Sequence, residues 1–180
     1  MRTSKAGTSS KTVPRWRAGF TLMELVVVIA LLSLVTIMVV PRLSVSKAAE
    51  LARAARELAA TIRYLQDQAI TTKSAYRLHL ETGGSTITVR TVLADGSEGT
   101  PGEPILSQPL LTDGMSVADV FSQRAGKLAD GEAMIDFGPG GIQDFTAIHL
   151  KDSAEEFYTI MIYPSSGKVT VTKGYQEAPQ

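Results

Sequence analysis

Sixteen residues from Leu25 to Val40 carry only two polar side chains, Ser33 and Thr36, and this run constrains the chain more than any other feature. Counted from Phe20, the stretch before Pro41 is 21 residues. As a helix rising ~1.5 Å per residue it spans roughly 30 Å, about the thickness of a bilayer's hydrocarbon core. Its apolar side chains run all the way round rather than along one stripe, which suits lipid or a packed bundle. A buried core helix is the other reading. Such a helix rarely follows directly on five bases and no acid, yet Arg2, Lys5, Lys11, Arg15 and Arg17 provide that flank here. By the positive-inside bias the leader stays in the cytoplasm and everything after Pro41 lies beyond the membrane. A cleaved secretory signal has a shorter apolar region, ~7–15 residues, ending at a small-x-small site. Here the run ends in Val39-Val40-Pro41-Arg42-Leu43 instead.

Charge separates the same two parts. The chain of 180 residues is formally neutral, with 18 basic and 18 acidic side chains. Residues 1–19 hold +5, so the rest holds −5. An acidic body argues against non-specific nucleic-acid binding. No cysteine is present, which excludes disulfides, thiolate metal sites and a cysteine nucleophile. Glu24 stands out: a carboxylate in such a segment costs up to ~2.5–3.5 kcal/mol at the bilayer centre and as a rule has a partner and a job. Basic leader side chains snorkelling towards it are the plainer account.

After Pro41 the pattern becomes amphipathic. Leu51, Ala55, Leu58, Ile62, Leu65 and Ala69 recur at helical spacing among Arg53, Arg56, Glu57, Arg63, Gln66 and Asp67. Together the two stretches read as one helix from about residue 20 to residue 72, bent or broken at Pro41, which lacks an N–H and crowds the preceding turn. From Ala75 the period becomes two. Residues 76–93 read as a hairpin turning at Gly83-Gly84, residues 94–104 as an exposed loop, and residues 105–111 and 115–121 as weaker apolar segments. Residues 123–132 are polar and read as loop. Strands are expected over 133–137, 145–150, 157–163 and 168–173. The apolar face of the helix needs a partner and the sheet needs a cover. The fold class is therefore α+β: a long N-terminal helix, membrane half plus amphipathic half, packed on a C-terminal antiparallel sheet or small sandwich in a lollipop arrangement.

Ala18-Gly19-Phe20-Thr21-Leu22-Met23-Glu24-Leu25, with the apolar run behind it, resembles the processing segment of type IV prepilins and type II secretion pseudopilins. The resemblance implies cleavage between Gly19 and Phe20 by a prepilin peptidase, followed by N-methylation of Phe20. It also implies that Glu24 pairs with the amino terminus of a neighbouring subunit and fixes register in a filament, and that the helix bends at Pro41. These assignments fit the physics. Glycine before the cut lets the backbone lie close to a peptidase, and a buried carboxylate–ammonium pair costs desolvation while specifying register. The implied division is a removed leader 1–19, a filament-core helix 20–40, an amphipathic helix 41–74 and a periplasmic β-rich domain 75–180.

Residues Ile135 to Gly141, Ala147-Ile148-His149-Leu150 and Gly167-Lys168-Val169 resemble the C-terminal domain of the H-type minor pseudopilin and its FimT-like pilus relatives, loosely over 57–173. What this implies is a structural minor pseudopilin of a type II secretion system, anchored in the bacterial inner membrane with a periplasmic body, then assembled near the tip of a periplasmic pseudopilus. Its partners would be the peptidase, other pseudopilins or pilins, an inner-membrane assembly platform and secreted proteins. Glu24 sets it apart from the K-type tip subunit, which typically lacks that glutamate. The alternative is a FimT-like minor type IV pilin acting in pilus assembly or DNA uptake. Those relatives carry a basic Gly-Arg-x-Arg turn. Here it reads Gly167-Lys168-Val169-Thr170, and the tail after Lys173 holds an acid and no base. Attraction to phosphates scales with the positive charges engaged, so nucleic-acid binding is disfavoured.

No catalytic constellation emerges, and the chain reads as a non-enzyme without cofactor or metal. Gly138 to Gly141 lacks the Gly-Lys-Ser/Thr of a phosphate loop and reads as a turn. His79 and His149 read as strand-surface histidines, since metal-binding histidines come in clusters. Ser165-Ser166 has no evident base nearby. Asp95, Glu98 and Glu103, like Asp152, Glu155 and Glu156, read as solvated acidic turns without the ligand order of an EF-hand.

Overall fold

The computed structural model describes residues 21–164 and 166–178, and within its helix the side chains of residues 36–47 lie outside the description. Helix α1 runs Leu22–Thr72. The chain divides into two compact units, Met1–Pro41 and Arg42–Gln180. Pro41, where a bend is expected from sequence, is the last residue of the first unit, and its side chain is outside the described residues.

In the first unit every described helix residue from Leu22 to Val35 is exposed, with Leu22 82% and Leu34 66% accessible. The stretch starts on a cap: Glu24 N–H donates to Thr21 Oγ1 at 3.2 Å, and Leu25 N–H donates to the Thr21 carbonyl at 3.2 Å. Thr21 thus satisfies a donor that a helix start otherwise leaves unpaired. Ser33 turns its hydroxyl back on the Ile29 carbonyl at 2.8 Å, so this polar residue in the apolar run is satisfied within the helix. Among the described residues no helix is long and apolar enough to cross a membrane. The apolar side chains described there, Leu22 to Val35, span about 21 Å of helix.

The second unit is built on the expected stripe. Leu51, Ala55, Leu58, Ile62, Leu65 and Ala69 are all fully buried, while Arg53 and Arg56 face water. Lys73, at φ 57°, ends the helix in the left-handed region. Among the described residues nine strands form one mixed, mostly antiparallel sheet: β1 Ala75–Thr82, β2 Ile87–Val92, β3 Glu98–Gly99, β4 Met115–Ser122, β5 Gly126–Leu128, β6 Gly131–Phe137, β7 Thr146–Asp152, β8 Phe157–Tyr163 and β9 Lys168–Lys173. The main path is β3-β2-β1-β4-β7-β8-β9, with β6 paired to β1 and β5 to β4. Leu78, Leu80, Ile135, Phe137, Ile148, Leu150, Ile160 and Ile162 join the helix stripe in one core cluster. Arg63 Nη2 donates to the Val169 carbonyl of β9 at 2.6 Å and ties helix to sheet.

Three local features differ from the sequence reading. Residues 123–132 are not all loop: they hold β5 and the start of β6. Residues 94–104 are not all loop either: they hold the two-residue β3, Glu98–Gly99. The sheet is not purely antiparallel, because β1 and β4 run parallel where Thr82 meets Val117. That contact is confined to the strand ends, where Gly83 N–H bonds the Val117 carbonyl at 2.7 Å and Val117 N–H returns to Gly84 at 2.9 Å.

One irregularity positions a site. On β4, Val117 pairs with Leu150 and Asp119 with His149, so two steps on β4 match one on β7 and Ala118 is the extra residue of a bulge. In regular alternation Asp119 shares the core-facing side with Val117. The bulge turns it to the opposite face and returns Val120, 4% exposed, to the core.

Candidate functional site

Of the site residues expected from sequence, Gly19 and Phe20 lie outside the described residues. Glu24 occupies the first turn of α1, where a negative charge complements the helix dipole, and it is exposed. Within one chain its carboxylate meets no cation among the described residues. What residues 21–35 present is a capped helix start, one acid and an exposed apolar surface.

Two polar clusters on the sheet were not foreseen. On β1, Arg77 and His79 project from the face opposite Leu78 and Leu80. Arg77 makes a two-pronged pair with Asp136 of β6, Nε to Oδ1 at 2.6 Å and Nη2 to Oδ2 at 3.1 Å, and its Nη1 reaches Glu98 of β3 at 2.8 Å. His79 sits between Glu132, 2.7 Å from Nδ1, and Glu98, 3.0 Å from Nε2. Arg77 stands directly across from Asp136 in register, and Glu132 is a diagonal neighbour of His79. Asp136, then Glu98, stabilises the charged guanidinium and pushes the Arg77 pKa up. Arg77 in turn holds the Glu98 carboxyl below its usual 4.5. Glu98 is thus no free member of an acidic loop: it pins the two-residue β3 to the sheet. Asp95 is also engaged, accepting from the Ser97 hydroxyl at 2.6 Å and the Ser97 N–H at 2.9 Å, and these bonds lower its pKa. Glu103 accepts from Gln68 at 3.4 Å.

The second cluster lies across β4, β7 and β8. The bulge puts Asp119, 5% exposed, beside His149, 2% exposed, with Asp119 Oδ1 at 2.7 Å from Nδ1. His149 is therefore a buried histidine, not the surface one expected: the chain beyond β9 folds back and covers it. Gly174, at φ 91°, makes that turn in a conformation few side chains tolerate. The Tyr175 ring then stacks on His149 at 3.9 Å between centroids and 11° between planes. Tyr175 O–H donates to the Asp119 carboxylate at 3.2 Å, and Lys127 Nζ donates to Tyr175 Oη at 2.8 Å. That bond, followed by the Asp119 charge, raises the Lys127 pKa. Thr159 Oγ1 donates to the Gly174 carbonyl at 2.7 Å and accepts the Gln176 N–H at 2.9 Å. Finally His149 Nε2 lies 2.9 Å from the Gln176 carbonyl.

Asp152 departs from its expectation as well. It is 6% exposed, and its Oδ1 accepts from the Ala154 and Glu156 N–H groups at 2.9 and 3.0 Å, so it organises the β7–β8 turn instead of facing water. Glu156 pairs with Lys173 of β9 at 3.1 Å. Among the described residues no group of three or more His, Asp or Glu side chains is arranged to hold a metal ion. In the His79 cluster the carboxylates sit on opposite ring nitrogens and do not converge on a common point.

Comparison with known proteins adds the following. A family model described as "Type II transport protein GspH" matches residues 54–171. The minor pseudopilin EpsH from the type 2 secretion system of Vibrio cholerae is 12% identical, with a TM-score of 0.53 over 69% of this chain and 97% of that one. The type IV minor pilin FimU of Pseudomonas aeruginosa is 16% identical, with a TM-score of 0.48 over 71% of this chain and 91% of that one. At these identities the EpsH match shows a shared fold. A search of curated proteins finds no significant match.

Proposed function

Because the chain belongs to the GspH family of type II transport proteins, we propose that it is a minor pseudopilin that assembles with other pseudopilins near the tip of a periplasmic filament driving protein export. The observation that carries this reading is the family match across the sheet domain, residues 54–171. The prepilin-like segment Gly19 to Leu25 supports it independently. In this reading the leader 1–19 is removed by prepilin peptidase, and Phe20 becomes the N-methylated first residue. Residues 20–40 anchor the chain once in the inner membrane until an assembly platform transfers it into the filament. Cleavage replaces a +5 leader with one ammonium, and Glu24 lies one helical turn along from it. That carboxylate is then available to the amine of a neighbouring subunit, a pairing that specifies register more than stability. The sheet domain supplies the specific contacts with other subunits and with exported proteins.

The test is deletion of the chain in its native host, followed through the secreted proteome, surface pili and DNA uptake. Lost secretion with intact pili supports the type II assignment. Lost pili or uptake with normal secretion overturns it in favour of a minor type IV pilin.

A further inference from the structure

The buried imidazole of His149 faces acceptors on both sides. Nδ1 lies 2.7 Å from Asp119 Oδ1 and Nε2 lies 2.9 Å from the Gln176 carbonyl oxygen, which can only accept. A neutral imidazole has one N–H, so it serves one of these contacts and turns a lone pair on the other. Meeting both takes one proton more than neutral His149 and ionised Asp119 hold between them. We infer that residues 174–178 form a protonation-dependent latch: an extra proton shared by His149 and Asp119 clamps the C-terminal tail across β7 and β8, and its loss loosens the tail from Gln176 onward.

Around the imidazole, Asp119 comes from β4. From β5 comes Lys127, which reaches Asp119 Oδ2 at 3.4 Å and whose Nζ lies 5.1 Å from the Tyr175 ring centroid. From the tail comes Tyr175, stacked on His149 and closed from its other side by Phe157 of β8, edge-on at 5.6 Å. β8 otherwise contributes Thr159, which carries no charge. The proton sits among one carboxylate and one permanent cation in a place closed to water, so its loss is not made good by solvent. Its removal leaves the His149–Gln176 bond unmade or sets a lone pair against Asp119. The remaining ties, Gly174 N–H to the Phe157 carbonyl at 2.7 Å and Thr159 Oγ1 to the Gly174 carbonyl at 2.7 Å, keep the start of the tail in place, while the Gln176 N–H bond to Thr159 at 2.9 Å opens with the latch. The loosening therefore falls on Gln176 and the residues after it.

Hydrogen exchange on the full chain in detergent micelles tests this, comparing peptides over 172–180 between about pH 5 and about pH 8, the range in which histidine changes charge. After correction for intrinsic exchange, wild-type tail protection is expected to fall roughly 10-fold or more as pH rises, the scale of one charge-assisted bond. Asp119→Asn separates this latch from a passive contact. Its amide can donate to Nδ1 while Nε2–H serves Gln176, so a neutral imidazole satisfies both sides and protection should become pH-independent. His149→Gln should also lose the pH dependence. Imidazole 15N shifts of wild-type protein report the proton directly and need no variant. They should show His149 doubly protonated at the acidic end. A singly protonated ring throughout, or wild-type protection that is flat with pH, overturns the latch. So does an Asp119→Asn variant with the wild-type pH dependence.

Discussion

Thr159 shows how much one side chain can organise. Its hydroxyl gives one hydrogen bond to the Gly174 carbonyl and takes another from the Gln176 N–H, both from a fully buried position. Thr159→Val keeps the shape, removes both bonds and leaves two backbone groups without a partner. The expected cost is about 1–3 kcal/mol, read as a lower urea midpoint with an unchanged slope. At the other end of the chain Glu24 has the opposite character: it is exposed in the single subunit and gains its proposed role only in assembly. Glu24→Ala is accordingly expected to leave cleavage after Gly19 and the melting of the sheet domain unchanged, while the amount recovered in sheared filaments drops. Normal recovery would remove the register role assigned to Glu24.

At the scale of elements, what could be read in advance was what is local and periodic. The helix stripe from Leu51 to Ala69 and the strands β1, β2, β8 and β9 announce themselves by spacing, because each buries a regular face. β5 does not: three residues, Gly126 to Leu128, with one apolar side chain give no period to detect. The Asp119–His149 pair was hidden for a sharper reason. Counting by two from Val117 points Asp119 into the core, and only the bulge at Ala118 reverses it. Tyr175 meets Asp119 across 56 positions of sequence, and no local pattern carries such a contact. β3 was missed because pairing, not propensity, makes it a strand: Glu98 on Arg77 and His79 holds it there. Arg77 depresses the Glu98 pKa, so the sign of the pH effect follows. The stabilisation is complete above the unfolded value of 4.5 and is lost as pH falls through the lower folded-state value. The melting temperature of wild type should exceed that of Glu98→Gln at neutral pH, and the gap should close on acidification below about pH 4.5. A gap that persists at acid pH would mean that the carboxylate charge is not what holds β3.

For the whole molecule the division near Pro41 separates two kinds of chemistry. The leader and apolar run carry their information in contiguous residues, which is why a processing site can be proposed from sequence without any fold. The sheet domain carries its information in packing between distant residues, with Leu58, fully buried, at the centre of the helix stripe. If processing reads only the first unit and stability resides in the second, the two can be broken separately. Leu58→Ala should cost about 2–5 kcal/mol of sheet-domain stability. It should lower the melting temperature and protease resistance, yet leave a mature mass short by the leader. Gly19→Val places a β-branched side chain at the proposed cut. The full-length mass should persist while the sheet domain melts as in wild type. Mass spectrometry and thermal unfolding of the same two preparations decide the matter. Loss of cleavage in Leu58→Ala would mean that the peptidase requires a folded body, and the proposed order of processing before assembly would have to include folding as its first step.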